Sequence, residues 1–334
     1  MKINQRLFDH YGIDTNKDLK IEKRCPRPFD TILIDKQGSC FACECQSWLP
    51  QSIGNLQIKP LSEIIDSVMH KHLKSSINDG SYRYCNNKQC SWLIAEDFKE
   101  FGSQDQRPSI SYLRLAIDDS CNLRCPSCRD KLIFHKEGSA FQLGVKLADR
   151  VNQWLSDYHH PINVHIGSDG DPFASHVYRH FMQNVPDHDG INFSIMTNGL
   201  MFEEVQTRIP KVISRVRKLE VSIDGATRDT YESLRLGGKW DNLLQNLRSM
   251  YALKQKHGFT WNWHMVVQEK NWREIPSMMA MAHRYGVDRV YFNRIRDWGT
   301  SLDVSLQSFH KQEEFKKMRA KLFEDMVANP YGLL

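Results

Sequence analysis

The stretch "YLRLAI" (Tyr112–Ile117), followed at once by "DDSCNLRCPSCRD" (Asp118–Asp130), decides how the rest of the chain is read. Its first part is apolar and strand-like. Its second part places Cys121, Cys125 and Cys128 within eight residues. Three thiols on one loop directly after a strand can converge on a single metal centre. Structural zinc sites take four ligands and ferredoxin-type clusters take four cysteines. A set of three therefore leaves one coordination position for substrate or cofactor, and the missing fourth cysteine is the functional feature.

Working outward, the chain alternates between two periodicities. Helical spacing over 141–158 is followed by the strand "INVHIG" (162–167) and a helix near 174–184. The strand "NFSIMTNG" (192–199) leads into a helical stretch, "FEEVQTRIPKVISRV", interrupted at Pro210. "KLEVSIDG" (218–225) is the fourth strand, and the helix after it ends at Gly258. "WNWHMVVQ" (261–268) and "VDRVYFNRI" (287–295) are the fifth and sixth, each with a helix after it. Six strand–helix repeats predict an α/β class: a parallel sheet with right-handed crossovers, curled into a partial (β/α)6 barrel. In such folds chemistry sits at the C-terminal ends of the strands.

Residues near 106–111, "QRPSIS", read as a boundary between two domains, 1–105 and 106–334. Ahead of it lie short apolar runs, turn-rich segments such as "DKQG", "SIGN" and "NDGS", and Cys25, Cys40, Cys43, Cys45, Cys85 and Cys90. No cysteine follows Cys128. The chain shows no export signal, so such clusters read as metal or redox sites before disulfides. In the front segment, zinc and iron–sulfur ligation both remain open. At 334 residues, with 40% hydrophobic and 25% charged residues, the composition is that of a soluble globular protein. No apolar run approaches the roughly 18–20 residues of a membrane span, and the expected location is cytoplasmic. The net charge of +5 is too slight to argue for nucleic-acid binding.

"CNLRCPSC" on the first loop of a six-unit β/α chain resembles the cluster motif of the radical S-adenosylmethionine (SAM) enzymes. The resemblance implies that Cys121, Cys125 and Cys128 hold a [4Fe-4S] cluster whose open iron is chelated by SAM. Reduction would then cleave SAM to methionine and a 5′-deoxyadenosyl radical that abstracts hydrogen from substrate. "GSDGDPF", after the second strand, is similar to the family's Gly-Gly-Glu-Pro segment, with Asp169, Gly170, Asp171 and Pro172 in its place. Aspartate stands where the family has glutamate, and such an acid can pair with the SAM amino group. "TNG" supplies Thr197 and Asn198. "SIDGATRDTYESLR" is similar to the stretch whose serine and arginine contact the SAM carboxylate and ribose, which points to Ser222 and Arg235, with Asp224 facing substrate. Taken singly, these are an ordinary turn, a strand-end hydroxyl and a surface arginine. Their agreement at successive strand ends carries the reading. His135, His165 and His264 receive no role.

The front segment resembles the SPASM or twitch module. There the resemblance implies a second, auxiliary [4Fe-4S] cluster on Cys25, Cys43, Cys85 and Cys90, with Gly38 ahead of Cys43. Cys40 and Cys45 are extra. In the family the module follows the barrel; here it precedes it. The implied partners are an electron donor such as flavodoxin or ferredoxin and a substrate that is a peptide or protein residue, or a small molecule. The segment ahead of Cys25 leaves no room for a separate leader-peptide-binding domain. The alternatives are a carbohydrate or aminocyclitol dehydrogenase and, from another class, a non-catalytic iron–sulfur electron carrier.

Overall fold

A computed structural model describes residues 5–21, 24–95 and 109–328. The boundary expected between 105 and 106 lies outside these residues. The chain divides into two compact units: Met1–Asp118, Glu137–Ser168 and His180–Asn192 form one, and Asp119–Lys136, Asp169–Arg179 and Phe193–Leu334 form the other.

In the first unit the strands run in the order β3-β2-β1-β4-β5. They are β1 (Thr31–Asp35), β2 (Ser39–Phe41), β3 (Ser52–Asn55), β4 (Tyr112–Ala116) and β5 (Ile162–Ile166). β1 and β2, like β2 and β3, pair antiparallel. β1 lies parallel to β4, from Thr31 opposite Tyr112 to Asp35 opposite Ala116, and β4 lies parallel to β5. The cysteine-rich front thus shares a sheet with the first two strands of the α/β repeat. β1 can sit inside that sheet because "TILID" is a short β-branched apolar run, buried over its first four residues. Gly38, in the β1–β2 turn, has φ +77°, and a Cβ there would lie 2.9 Å from Leu147 Cδ2. Leu147 belongs to the helix Gly138–Ser156, whose buried stripe of Gly144, Leu147, Ala148, Val151 and Leu155 has helical spacing. "SIGN", expected as a turn, forms β3. The Ser52 hydroxyl donates to the carbonyls of Cys40 (3.1 Å) and Gly54 (2.8 Å), and this tertiary pairing overrides the local turn preference.

The second unit carries the order β6-β7-β8-β9. β6 (Ile191–Thr197), β7 (Val216–Ser222), β8 (Thr260–Val267) and β9 (Arg289–Arg294) are the strands. The β6/β7, β7/β8 and β8/β9 pairs are all parallel. Alternation along β7 and β8 separates two faces. Leu219, Val221, Trp261, Trp263 and Met265 are buried on one. Trp263 reaches Tyr285, 5.8 Å away at the end of the helix Ile275–Arg284. Lys218, Glu220, Ser222, Asn262 and His264 alternate with them on the other. The α/β class and the six strands β4–β9 match the periodicity. Among the described residues, no helix is long and apolar enough to cross a membrane.

Candidate active site

The cysteine loop is shaped by main-chain bonds. Cys121 N–H donates to Ile133 O (2.8 Å) and Arg124 N–H to Leu236 O (3.0 Å). A turn closes at Cys125, whose carbonyl accepts from Cys128 (2.9 Å) and Arg129 (3.0 Å). Cys125 is buried, Cys121 half-buried and Cys128 exposed, and all three are free thiols. Two of the three sulfurs meet N–H donors. Leu123 N–H approaches Cys121 Sγ at 3.4 Å and Asn198 Nδ2 approaches it at 3.7 Å. Arg235 Nη1 is 3.9 Å from Cys125 Sγ. Arg129 donates to the carbonyls of Asp119 (2.7 Å) and Asp169 (2.8 Å).

Two buried acids hold these donors. Asp171 is 2% exposed. Its Oδ1 accepts from Phe173 N–H (3.1 Å) and Ala174 N–H (3.0 Å). Its Oδ2 accepts from Thr197 Oγ1 (2.8 Å) and Asn198 N–H (2.7 Å). Its own N–H donates to Ser120 O (2.8 Å). One carboxylate thereby joins the loops after β4, β5 and β6. Asp224, 1% exposed, forms an ion pair with Arg235, Oδ2 to Nε 2.8 Å. Its Oδ1 accepts from Val266 N–H (2.8 Å), and Asn271 Nδ2 donates to its carbonyl (2.9 Å). Burial disfavours the charged guanidinium of Arg235, and the Asp224 carboxylate more than offsets this, so Arg235 stays charged.

No protein-family model matches the chain. It is 23% identical over 146 residues to GTP 3′,8-cyclase of Alkaliphilus metalliredigens, covering 43% of this chain and 44% of that protein. The match thus spans under half the length of that relative. Among solved structures, anSMEcpe with bound AdoMet is similar at a TM-score of 0.44 and 16% identity, covering 67% of this chain and 60% of that one. Streptococcus suis SuiB bound to precursor peptide SuiA is similar at 0.44 and 9%, covering 80% and 61%.

The donor set suits an iron–sulfur centre with cysteine ligands. Hydrogen bonds such as those to the Cys121 and Cys125 sulfurs suit thiolate ligands. Burial pushes the Cys121 thiol up to about 11 and raises Cys125 as well, so thiolates at these positions need a positive centre beside them. Three such ligands on one loop fit a [4Fe-4S] cluster with one iron open. Of the expected residues, Thr197 and Asn198 meet the Asp171 carboxylate, and Arg235 reaches Asp224 and Cys125. Arg235 is buried with 11% side-chain exposure, so it is no surface residue. Asp224 faces Arg235 and the β8 main chain rather than open space. The Asp171 carboxylate is fully engaged by protein donors. Asp169 is exposed, Gly170 half-buried and Pro172 buried on the same loop, while Ser222 ends β7 half-buried, in register with His264.

Sequence reasoning missed the polar ladder on the same face of the sheet as Ser222. Glu220 Oε1 lies 3.1 Å from His264 Nε2, and its Oε2 lies 3.1 Å from Lys218 Nζ. The His264 ring stacks on Tyr291 with centroids 4.7 Å apart. The i, i+2 spacing of Lys218, Glu220 and Ser222 was the available signal. His135 Nε2, also given no role, pairs with Asp119 Oδ1 at 2.9 Å. The buried His165 ring stacks on Tyr112.

In the first unit Cys43, Cys85 and Cys90 are buried and Cys25 is half-buried. Burial pushes the Cys25 thiol up to about 12 and raises the other three. Burial raises the Cys85 thiol, and the nearby Cys43, Cys25 and Cys90 thiols raise it further. Cys40 points elsewhere, with its Sγ 3.7 Å from Gly38 O. Cys45 Sγ bonds Ser47 Oγ at 3.2 Å and sits near enough to Cys90 to affect its charge.

Proposed function

We propose that the chain cleaves SAM reductively at a [4Fe-4S] cluster held by Cys121, Cys125 and Cys128, and directs the resulting radical chemistry at a residue of a peptide or protein. The observation that carries the reading is the three-cysteine loop in which the Cys121 and Cys125 sulfurs meet N–H donors. When bound, cluster and SAM supply the electron transfer and the 5′-deoxyadenosyl radical. The chain's residues position them. The main chain of Asp169–Pro172, with Thr197 and Asn198, forms the rim at two strand ends, and Ser222 supplies a hydroxyl at a third. The ladder of Lys218, Glu220 and His264 offers a substrate charged and hydrogen-bonding partners.

Cys25, Cys43, Cys85 and Cys90 are proposed as ligands of an auxiliary [4Fe-4S] cluster. Four sulfurs at ~2.3 Å from one zinc ion lie about 3.8 Å apart. Among the described residues, no three cysteine sulfurs form a group within 4.8 Å of one another, and the cluster is proposed on the likeness of the front segment to the SPASM or twitch module. Flavodoxin or ferredoxin is the proposed electron donor. The GTP 3′,8-cyclase relative favours a second reading, a purine nucleotide as substrate.

Anaerobic reconstitution tests both centres. The protein should bind about eight irons in two four-iron clusters. Replacing Cys121, Cys125 and Cys128 by Ala should remove half the iron and all SAM cleavage. Zinc in the front site would overturn the auxiliary-cluster assignment, and iron loading without SAM cleavage would leave an electron carrier. Stimulation of 5′-deoxyadenosine formation by GTP, and not by peptides, would select the second reading.

A further inference from the structure

Two of the three sulfurs are met by side chains that reach them from distant strand ends; a buried acid holds the Asn198 main chain, and another pairs with the Arg235 guanidinium. Asn198 extends its amide to Cys121 Sγ (3.7 Å) and to Asn122 Oδ1 (2.7 Å). Its backbone N–H is fixed by Asp171 at 2.7 Å, and its Oδ1 accepts from Leu200 N–H at 3.0 Å. Arg235 is fixed by Asp224, which is itself fixed by Val266 and Asn271, leaving Nη1 aimed at Cys125 Sγ. Asn271 completes the support with bonds to Val266 O (2.9 Å) and from Gln268 N–H (2.7 Å). Turning Asn198 away would break its side-chain hydrogen bonds, and turning Arg235 away would break a buried ion pair.

A hydrogen-bond donor at a ligand sulfur, and above all a full positive charge in a low-dielectric site, stabilises the form of an iron–sulfur centre that carries the extra electron. We propose that Arg235 and Asn198 set the electron affinity of the three-cysteine centre through Cys125 and Cys121, with Asp224 and Asp171 as the residues that position them. This rests on the proposed cluster at Cys121, Cys125 and Cys128. It gives Arg235 a role different from the SAM-carboxylate contact implied by family resemblance. The sign follows from geometry. Arg235 presents its charge to the sulfur, and Asp224 lies behind it. Removing the arginine charge should therefore disfavour reduction, and removing the aspartate charge should favour it.

The test is a potentiometric titration of the reconstituted full-length protein, followed by EPR at the signal that changes when SAM is added. Arg235→Gln should lower the reduced-to-oxidised ratio at fixed potential about tenfold, which is ~59 mV for a one-electron couple. Arg235→Lys, which keeps the charge, should stay within about threefold of the wild type. Asp224→Asn should move the ratio the opposite way. SAM affinity should change by less than about threefold in Arg235→Gln. Should a single variant fail to take up iron, the double variant Arg235→Gln/Asp224→Asn leaves the buried pair neutral and should show a smaller shift in the same direction as Arg235→Gln. An unmoved ratio with normal iron uptake overturns the inference alone. So do shifts of the same sign in Arg235→Gln and Asp224→Asn, and so does a tenfold loss of SAM affinity without a shift. A wild-type protein that binds no iron at this loop overturns the underlying reading as well.

Discussion

Glu220 is ionised inside the protein because its neighbours outweigh its burial. Burial works against its charge, but His264 and Lys218 draw the carboxyl from its ordinary 4.5 down to about 2. A depressed carboxyl contributes stability above its unfolded value and loses it as pH falls through the folded one. Here that window runs from about pH 5 down to about pH 2. The shift corresponds to ~3 kcal/mol. Glu220→Gln should cost that much at pH 7 in urea unfolding, and its difference from the wild type should vanish near pH 2. A difference that stays constant between pH 7 and pH 3 would mean that the residue contributes packing and not charge. This pairing was not visible in the sequence, because Glu220 and His264 are forty-four positions apart and meet only across the β7/β8 register.

At the scale of elements, the segment after β7 depends on Gly225. A Cβ there would lie 2.5 Å from Tyr231 N and 2.8 Å from Tyr231 Cα, both backbone atoms of the helix Arg228–Leu234. Neither can move without moving the helix whose C-terminal end carries Arg235. Gly225→Ala should cost about 2–3 kcal/mol, measured as a lower urea midpoint. An unchanged midpoint would show that the helix shifts without penalty. The strands and long helices were legible because their apolar periodicity is strong. β4, β5 and β8 begin and end within two residues of their expected limits. The helix Arg228–Leu234 was not singled out as an element. Its only strong local sign is Thr227, whose hydroxyl accepts from Thr230 N–H. β3 was missed for a different reason: "SIGN" has turn composition, and only pairing with β2 makes it a strand. The three cysteines were legible from spacing. The donors at their sulfurs were not, because Asn198 and Arg235 arrive from seventy-six or more positions away.

At the scale of the whole molecule, the sharing of one sheet by β1 and β4 changes what metal removal should do to the front of the chain. Chelation should expose the ligand loops, with backbone hydrogen exchange rising at least tenfold at 43–45 and 85–90. Residues 31–35 should keep their protection, because their partners in β4 do not depend on metal. Unchanged exchange at the loops would show that their cysteines are not structural ligands. Loss of protection along β1 as well would show that the front folds only with its metal. In the second unit, Arg129 clamps the carbonyls of Asp119 and Asp169 together, and it does so with protein atoms alone. Those two loops therefore surrender their conformational entropy when the chain folds, not when a ligand arrives. A ligand meets a rim already in its final shape, so the rate at which it is captured is governed by encounter rather than by a rearrangement that must come first.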